Sequence, residues 1–244
     1  MKRSTLHAVC DAARAGRAIV RAVDIVSGEE RLIDIPSGDS QLEREAADAA
    51  RIDRSAMADA DGRSWFLDVV NPPLHLAIVG AVHIAQILAR MARLTGYGVR
   101  VIDPRGAFAS PDRFPDVDLS REWPDEALAK EPLGPRSALV ALTHDPKLDD
   151  PALAAALRTN CFYIGALGSK KTHAARLARL GAHGFGDPEL ARIHGPVGLA
   201  IGARSPAEIA ISILAEMTMK LRADDVWERS IVRATANTGL TPRS

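Results

Sequence analysis

Apolar residues follow two rhythms along this chain. In the first seventy or so positions they form short runs of strand length, at residues 18–26, 31–35 and 64–70, closed by Ser27-Gly28, Pro36-Ser37-Gly38 and Asn71-Pro72-Pro73. Residues 18–26 and 31–35 read as the two arms of a hairpin. Leu6, Val9 and Cys10 share one side of a helix predicted over residues 5–16, and an alanine-rich helix is predicted from a cap at Asp39 to about Met57. The expectation for residues 1–71 is a small α+β domain.

From residue 72 the rhythm changes. Near-continuous apolar runs at 74–80, 98–103, 137–144 and 161–165 are separated by stretches of helical spacing, such as Ile84, Ile87, Leu88, Met91 and Leu94. Further helices are predicted over 150–158, 169–180 and 205–221. Strands that are apolar on both faces and alternate with helices predict an α/β fold, a parallel sheet covered by helices on both sides, over residues 72–222. Residues 223–244 are mixed and polar and read as a loosely held arm. Within that arm Val226, Trp227, Ile231 and Val232 are positioned to dock on a partner subunit.

Composition narrows the function. The 244 residues carry 31 Lys and Arg against 31 Asp and Glu, so the chain as a whole offers no electrostatic footprint for nucleic acid or an anionic membrane. An anion must therefore be met locally. Hydrophobic residues make up 47% of the chain and aromatic ones only 4%, which favours tight helix–sheet packing over an aromatic ligand cage. Cys10 and Cys161 lie too far apart for a disulfide framework or a CxxC site, so a reduced, cytoplasmic compartment is expected. His7, Cys10, Asp11, Arg14 and Arg17 interrupt any apolar signal-peptide core, and no run has the length of a membrane span. No residue set is assigned to a metal.

Candidate chemistry gathers where predicted strands end. Gly80-Ala81-Val82-His83-Ile84-Ala85 is in register with a G-x-G-x-x-G/A dinucleotide turn, with Val82 in place of the second glycine. Asp103, about twenty residues on, stands where a carboxylate would hold a ribose; the alternative is a turn cap before Pro104. His83 at a helix start and His144 at a strand end are ligand-contact candidates, although His144 and Asp145 point to opposite faces and do not make a dyad. Gly165, Gly168, Ser169, Lys170 and Thr172 open a strand into a helix whose first turn carries Lys170, Lys171 and His173. Cations there oppose the helix dipole unless an anion is bound. Arg204 and Ser205 precede a second helix start, where Ser205-Pro206-Ala207-Glu208 reads as a capping box and Glu208 as a cap rather than a base.

Three of these segments together resemble the C-terminal Rossmann domain of the XdhC/CoxF family, the xanthine dehydrogenase and carbon monoxide dehydrogenase accessory factors. They are residues 72–85, residues 163–172 and the stretch from Ile193-His194-Gly195-Pro196-Val197-Gly198-Leu199 through Ala210. The resemblance implies a maturation factor, more an accessory protein than an enzyme. Such a protein binds molybdenum cofactor (molybdopterin) while a cysteine desulfurase installs its sulfido ligand, then passes it to a molybdenum hydroxylase apoenzyme. The phosphate of molybdopterin agrees with cationic helix starts. Family members usually read G-A-G-H where this chain has Gly80-Ala81-Val82-His83. Longer members carry a G-G-C-V-E segment that residues 1–71 lack; if its cysteine handles cofactor, this chain either lacks that function or obtains it from a partner that carries the segment. Alternative readings are an NAD(P)-dependent oxidoreductase using Asp103, and a scaffold for hydroxylase assembly that binds no ligand. A homodimer is expected by analogy with other domains of this type.

Overall fold

The computed structural model describes residues 3–35, 38–106 and 108–222. Its contacts divide the chain into one unit up to Pro73, to which Arg222 also belongs, and a second from Leu74 to Leu221. The arm over residues 223–244, with Val226, Trp227, Ile231 and Val232, lies outside the described residues.

The first unit holds α1 (Arg3–Arg14), β1 (Ala18–Asp24), β2 (Glu30–Ile35), α2 (Gln41–Arg51), β3 (Ala56–Ala60) and β4 (Arg63–Val70). The strands form an antiparallel sheet in the order β2-β1-β4-β3. Helix α2 lays Leu42, Ala46, Ala49 and Ala50 on Val20, Ala22, Ile33, Trp65 and Leu67. The helix expected from Asp39 to Met57 is corrected at both ends. Its cap is Ser40, which exchanges hydrogen bonds with Glu43 in a capping box (Glu43 N to Ser40 Oγ 3.3 Å, Ser40 N to Glu43 Oε2 3.0 Å). It stops at Arg51, and Asp53 turns the chain with φ of 58° so that Ala56–Ala60 pairs with β4. Alanine favours helix locally, but pairing along β4 and burial of Ala58 and Ala60 against the core override that preference.

The second unit contains β5 (Leu74–Val79), α3 (His83–Leu94), β6 (Tyr97–Ile102), β7 (Asp118–Ser120), α4 (Pro124–Lys130), β8 (Ser137–Ala141), α5 (Pro146–Leu157), β9 (Tyr163–Ala166), α6 (Lys170–Ala182), α7 (Asp187–Leu190), β10 (Ile193–His194) and α8 (Pro206–Leu221). Its six strands are parallel, in the order β10-β9-β8-β5-β6-β7. The chain runs outward from β5 to β7, returns to β8, and runs outward the other way. This doubly wound, Rossmann-type order reverses between β5 and β8. Every residue of β8 is buried, as expected of a strand covered on both faces. Alternate side chains divide the core. Leu76, Ile78, Val99 and Val140 meet α3 and α8 on one face, through Ala85, Leu88, Ala89, Ile213 and Met217. Ala77, Val79, Leu139 and Ala141 meet α4 and α5 on the other, through Leu128, Leu148, Leu153 and Leu157. Because the strands are parallel, every strand-to-helix turn opens at the same carboxyl edge, where open α/β sheets take ligands.

Among the described residues, no helix is long and apolar enough to cross a membrane.

Candidate functional site

At the reversal between β5 and β8, Gly80 has φ of 104°, and a Cβ there would stand 2.5 Å from Thr143 Cγ2. Its N–H donates to Ile102 O (2.9 Å). The next N–H, that of Ala81, donates to Asp103 Oδ2 at 2.8 Å. Val82 takes the N-cap place of α3 without a side-chain cap, and His83 follows as the exposed first residue of the helix.

Asp103 is wholly buried. Its Oδ1 accepts from Arg105 N (3.0 Å) and Nε (2.9 Å), and its Oδ2 from Arg105 Nη2 (2.8 Å) as well as from Ala81. Burial pushes this carboxyl up, but the hydrogen bonds from Arg105 and Ala81 outweigh it and hold the acid below its ordinary range. The expectation that Asp103 holds a ribose is corrected here: both oxygens are occupied by this chain's own donors and neither reaches solvent. The NAD(P) reading thereby loses its ribose ligand as well as its second glycine.

The β8–α5 turn holds His144 exposed with φ of 62°, a left-handed backbone uncommon outside glycine. Asp145 is the N-cap of α5, accepting from Lys147 N at 3.0 Å. Thr143 Oγ1 donates to Asp149 Oδ1 at 2.6 Å and accepts from Asp145 N at 3.0 Å. Asp149 in turn faces Arg176, which comes from the second turn of α6. Asp149 Oδ2 is 3.6 Å from Arg176 Nη2, and both side chains are 2% exposed. Arg176 Nη2 donates to Leu167 O (2.8 Å), directly beneath the β9–α6 turn. Asp149 Oδ2 and Arg176 Nε and Nη1 find no hydrogen-bond partner among the described residues. Burial raises the Asp149 carboxyl and lowers the Arg176 guanidinium, against the mutual attraction of the two.

At the α6 start, Gly168 has φ of 149° and Ser169 is the N-cap, its Oγ accepting from Thr172 N (3.2 Å) and lying 3.0 Å from Thr172 Oγ1. The first turn carries no acid, and Lys170, Lys171 and Thr172 are exposed. His173 packs its ring on Gly195, where a Cβ would stand 2.1 Å from Nδ1, an atom that is buried without a hydrogen-bond partner among the described residues. Burial, then the Arg176 charge, lower the His173 pKa. The unfolded chain therefore takes up a proton near pH 6.5 while the folded one resists, so stability falls as pH drops through that value. In urea unfolding, the loss between pH 7.5 and 5.5 should be smaller in His173→Gln than in the unaltered protein; equal losses would remove His173 as a cause.

Gly165 lies inside β9, where a Cβ would meet Val197 Cγ2 at 2.5 Å, so close packing of the strand requires it. Neighbouring Tyr163 stacks on His194 (4.9 Å, 23° between planes). Glu216 of α8 gathers this end of the sheet: it accepts from Gly198 N (2.8 Å) and the Tyr163 hydroxyl, and its Oε1 is 3.3 Å from His194 Nδ1. Burial, reinforced by Glu216, pushes the Tyr163 hydroxyl pKa up.

The α8 start is a second correction. Glu208 Oε2 accepts from Arg204 N (2.8 Å) and Ser205 N (2.9 Å), and Ser205 Oγ accepts from Glu208 N (3.2 Å). These bonds hold the Glu208 carboxyl below its ordinary range. A resident carboxylate thus occupies the position assigned to an external anion at Arg204 and Ser205. Of the two cationic helix starts, only α6 keeps an acid-free first turn.

Sequence reasoning missed Arg105, Asp149, Arg176, His194 and Glu216. The two-residue separation of Asp103 and Arg105 was a usable signal; for Arg176 there was none, since arginine on an amphipathic helix reads as exposed.

The XdhC Rossmann domain model matches residues 76–217. A Bacillus subtilis protein described as a probable xanthine dehydrogenase subunit is 29% identical over 227 residues, covering 88% of this chain and 64% of that protein. The molybdenum cofactor insertion chaperone PaoD of Escherichia coli is 34% identical over 147 residues, 60% of this chain and 40% of that one. A crystal structure described as a xanthine dehydrogenase from Bacillus halodurans aligns over 91% of this chain and 65% of its own, with a TM-score of 0.67 and 25% identity. The chain spans less than two thirds of each of these relatives.

Proposed function

Given that the chain belongs to the XdhC family, we propose that it is an accessory factor that holds molybdenum cofactor by its phosphate and delivers it to the apoenzyme of a xanthine or carbon monoxide dehydrogenase-type hydroxylase. The cofactor is cargo rather than a resident group. While held, it would be open to sulfuration by a cysteine desulfurase. A relative that is a molybdenum cofactor insertion chaperone supports this reading.

The observation that carries it is the α6 start. The free N–H groups of a helix's first turn and its dipole favour an anion. Here that turn bears Lys170 and Lys171 with no acid, and the buried Arg176 lies under Leu167. A phosphate seated on this turn would take N–H donors, the Thr172 hydroxyl and the Lys170 ammonium, with Arg176 adding positive potential from below.

Anaerobic gel filtration of the protein mixed with molybdenum cofactor should show co-elution. Lys170→Glu should weaken retention by about tenfold, the loss of one charge-assisted hydrogen bond. The reading fails if the unaltered protein retains no cofactor, or if the charge reversal retains as much.

A further inference from the structure

Beneath the α6 start, Asp149 and Arg176 form a buried pair whose polar atoms are only partly used. The two side chains face each other at 3.6 Å, beyond hydrogen-bond reach. Arg176 is aimed at the β9–α6 turn: its Nη2 donates to Leu167 O (2.8 Å) and lies 3.8 Å from where a Cβ on Gly168 would stand. Its Nε and Nη1 have no partner among the described residues. Thr143 Oγ1 donates to Asp149 Oδ1 at 2.6 Å, whereas Asp149 Oδ2 is buried with no donor among those residues. Buried polar atoms ordinarily have partners. A proton placed on Oδ2 displaces no hydrogen bond.

The charge of this pair decides what the turn above it feels. With Asp149 ionised, its charge and that of Arg176 largely cancel; with Asp149 protonated, Arg176 is a whole positive charge in a low-dielectric interior under the turn. An anion on the turn and a carboxylate at Asp149 therefore disfavour each other. The other groups that act on or feel Asp149 are His144 from the turn before α5, Arg179 from α6 and Arg105 from the loop after β6. Arg179 is held by Asp150, and Arg105 by Asp103. Asp145, which also faces Arg105, accepts from Lys147 N as the cap of α5. His173 adjoins Arg176 on α6. Among these acids, Asp149 alone combines full burial with an oxygen that no described donor holds.

We propose that Asp149 is the release element of the α6 site: it takes up a proton as an anion seats on the turn and gives it up as the anion leaves, so that the ligand is held more tightly at low pH than at high. The inference rests on the anion site proposed above. Burial already holds the Asp149 carboxyl above its ordinary range, and an anion over Arg176 moves it further the same way. The gain in affinity is therefore full below the pKa of the free protein and is lost as pH rises through that of the loaded one. A carrier that must surrender its cargo thus has an affinity set by one proton.

The test is an NMR titration of the full chain with sulfate, a dianion that takes up no proton between pH 5.5 and 8, at constant ionic strength, followed through the amide signals of residues 168–172. Sulfate should bind about tenfold more tightly at pH 5.5 than at pH 8. His173→Gln and His144→Gln should each keep most of that difference. Asp149→Asn, with folding checked by circular dichroism, should lose it and bind at pH 8 as tightly as the unaltered protein does at pH 5.5. Thr143→Val removes a hydrogen bond that favours the ionised acid, and should extend tight binding to higher pH. An unchanged pH profile in both Asp149→Asn and Thr143→Val overturns the inference, as does weaker binding by Asp149→Asn at pH 8. If sulfate shifts the α6 amides equally at every pH and Lys170→Glu abolishes the effect, the proton coupling is wrong and the α6 reading stands. If sulfate shifts none of them, the α6 reading falls and takes the coupling with it.

Discussion

Asp149→Ala is expected to lower the stability of the protein by about 3–5 kcal/mol, the cost of leaving a buried charge without its partner. Arg176 is 1% exposed, and its one hydrogen bond within the cluster goes to the Leu167 carbonyl. Asp149 is the facing carboxylate, and its removal also strips the Thr143 hydroxyl of its 2.6 Å acceptor. The measurement is the urea midpoint at unchanged slope. Asp149→Asn keeps an acceptor for Thr143 and removes only the charge, so it should cost less than alanine. Asp149→Leu combined with Arg176→Met should recover most of the loss, because a well-packed apolar pair can replace a buried ion pair at little cost. A loss under about 1 kcal/mol in the alanine variant would mean that Arg176 finds water or another partner there.

Gly198→Ala is expected to cost about 3 kcal/mol, from a strained backbone and an overpacked contact together. Gly198 has φ of 92°, and a Cβ there would lie 2.3 Å from Ser212 Oγ and 3.1 Å from Ile213 N. Neither can give way freely: Ser212 Oγ is hydrogen-bonded to Ile209 O (2.8 Å), and Ile213 N is helix backbone. Adding Ser212→Ala should recover part of the loss by removing the closer atom, while the φ strain and the Ile213 contact persist. Thermal unfolding of the two variants checks this, and equal midpoints for Gly198→Ala and the unaltered protein would contradict it. The expected damage reaches the site as well, since the Gly198 N–H is one of the donors that fix Glu216 beside His194.

Several parts of this arrangement are legible in the chain alone. The apolar runs at 74–80 and 137–144 announce buried parallel strands because a strand covered on both faces needs apolar residues at consecutive positions. Ser169 as a cap and Glu208 as its own helix's cap partner are readable because both interactions span three residues. The polar β7 and the short α4 were missed, for neither carries a periodic apolar pattern of useful length. Helix α5 begins at Pro146, four residues before the prediction, because Asp145 caps it and Pro146 suits its first position.

The alternation of strands and helices and the charges at the α6 and α8 starts are written in neighbours a few residues apart. Whether the other polar groups stay open depends on contacts made across the fold. The Ala81 N–H at the end of the adjacent strand completes the closure of Asp103 that Arg105 begins, Arg176 is buried against Asp149 from the preceding helix, and Glu216 draws Tyr163, His194 and Gly198 together from far along the chain. A hydrogen bond or ion pair between groups distant in sequence leaves no local pattern, yet it fixes whether a polar atom has capacity left for a ligand.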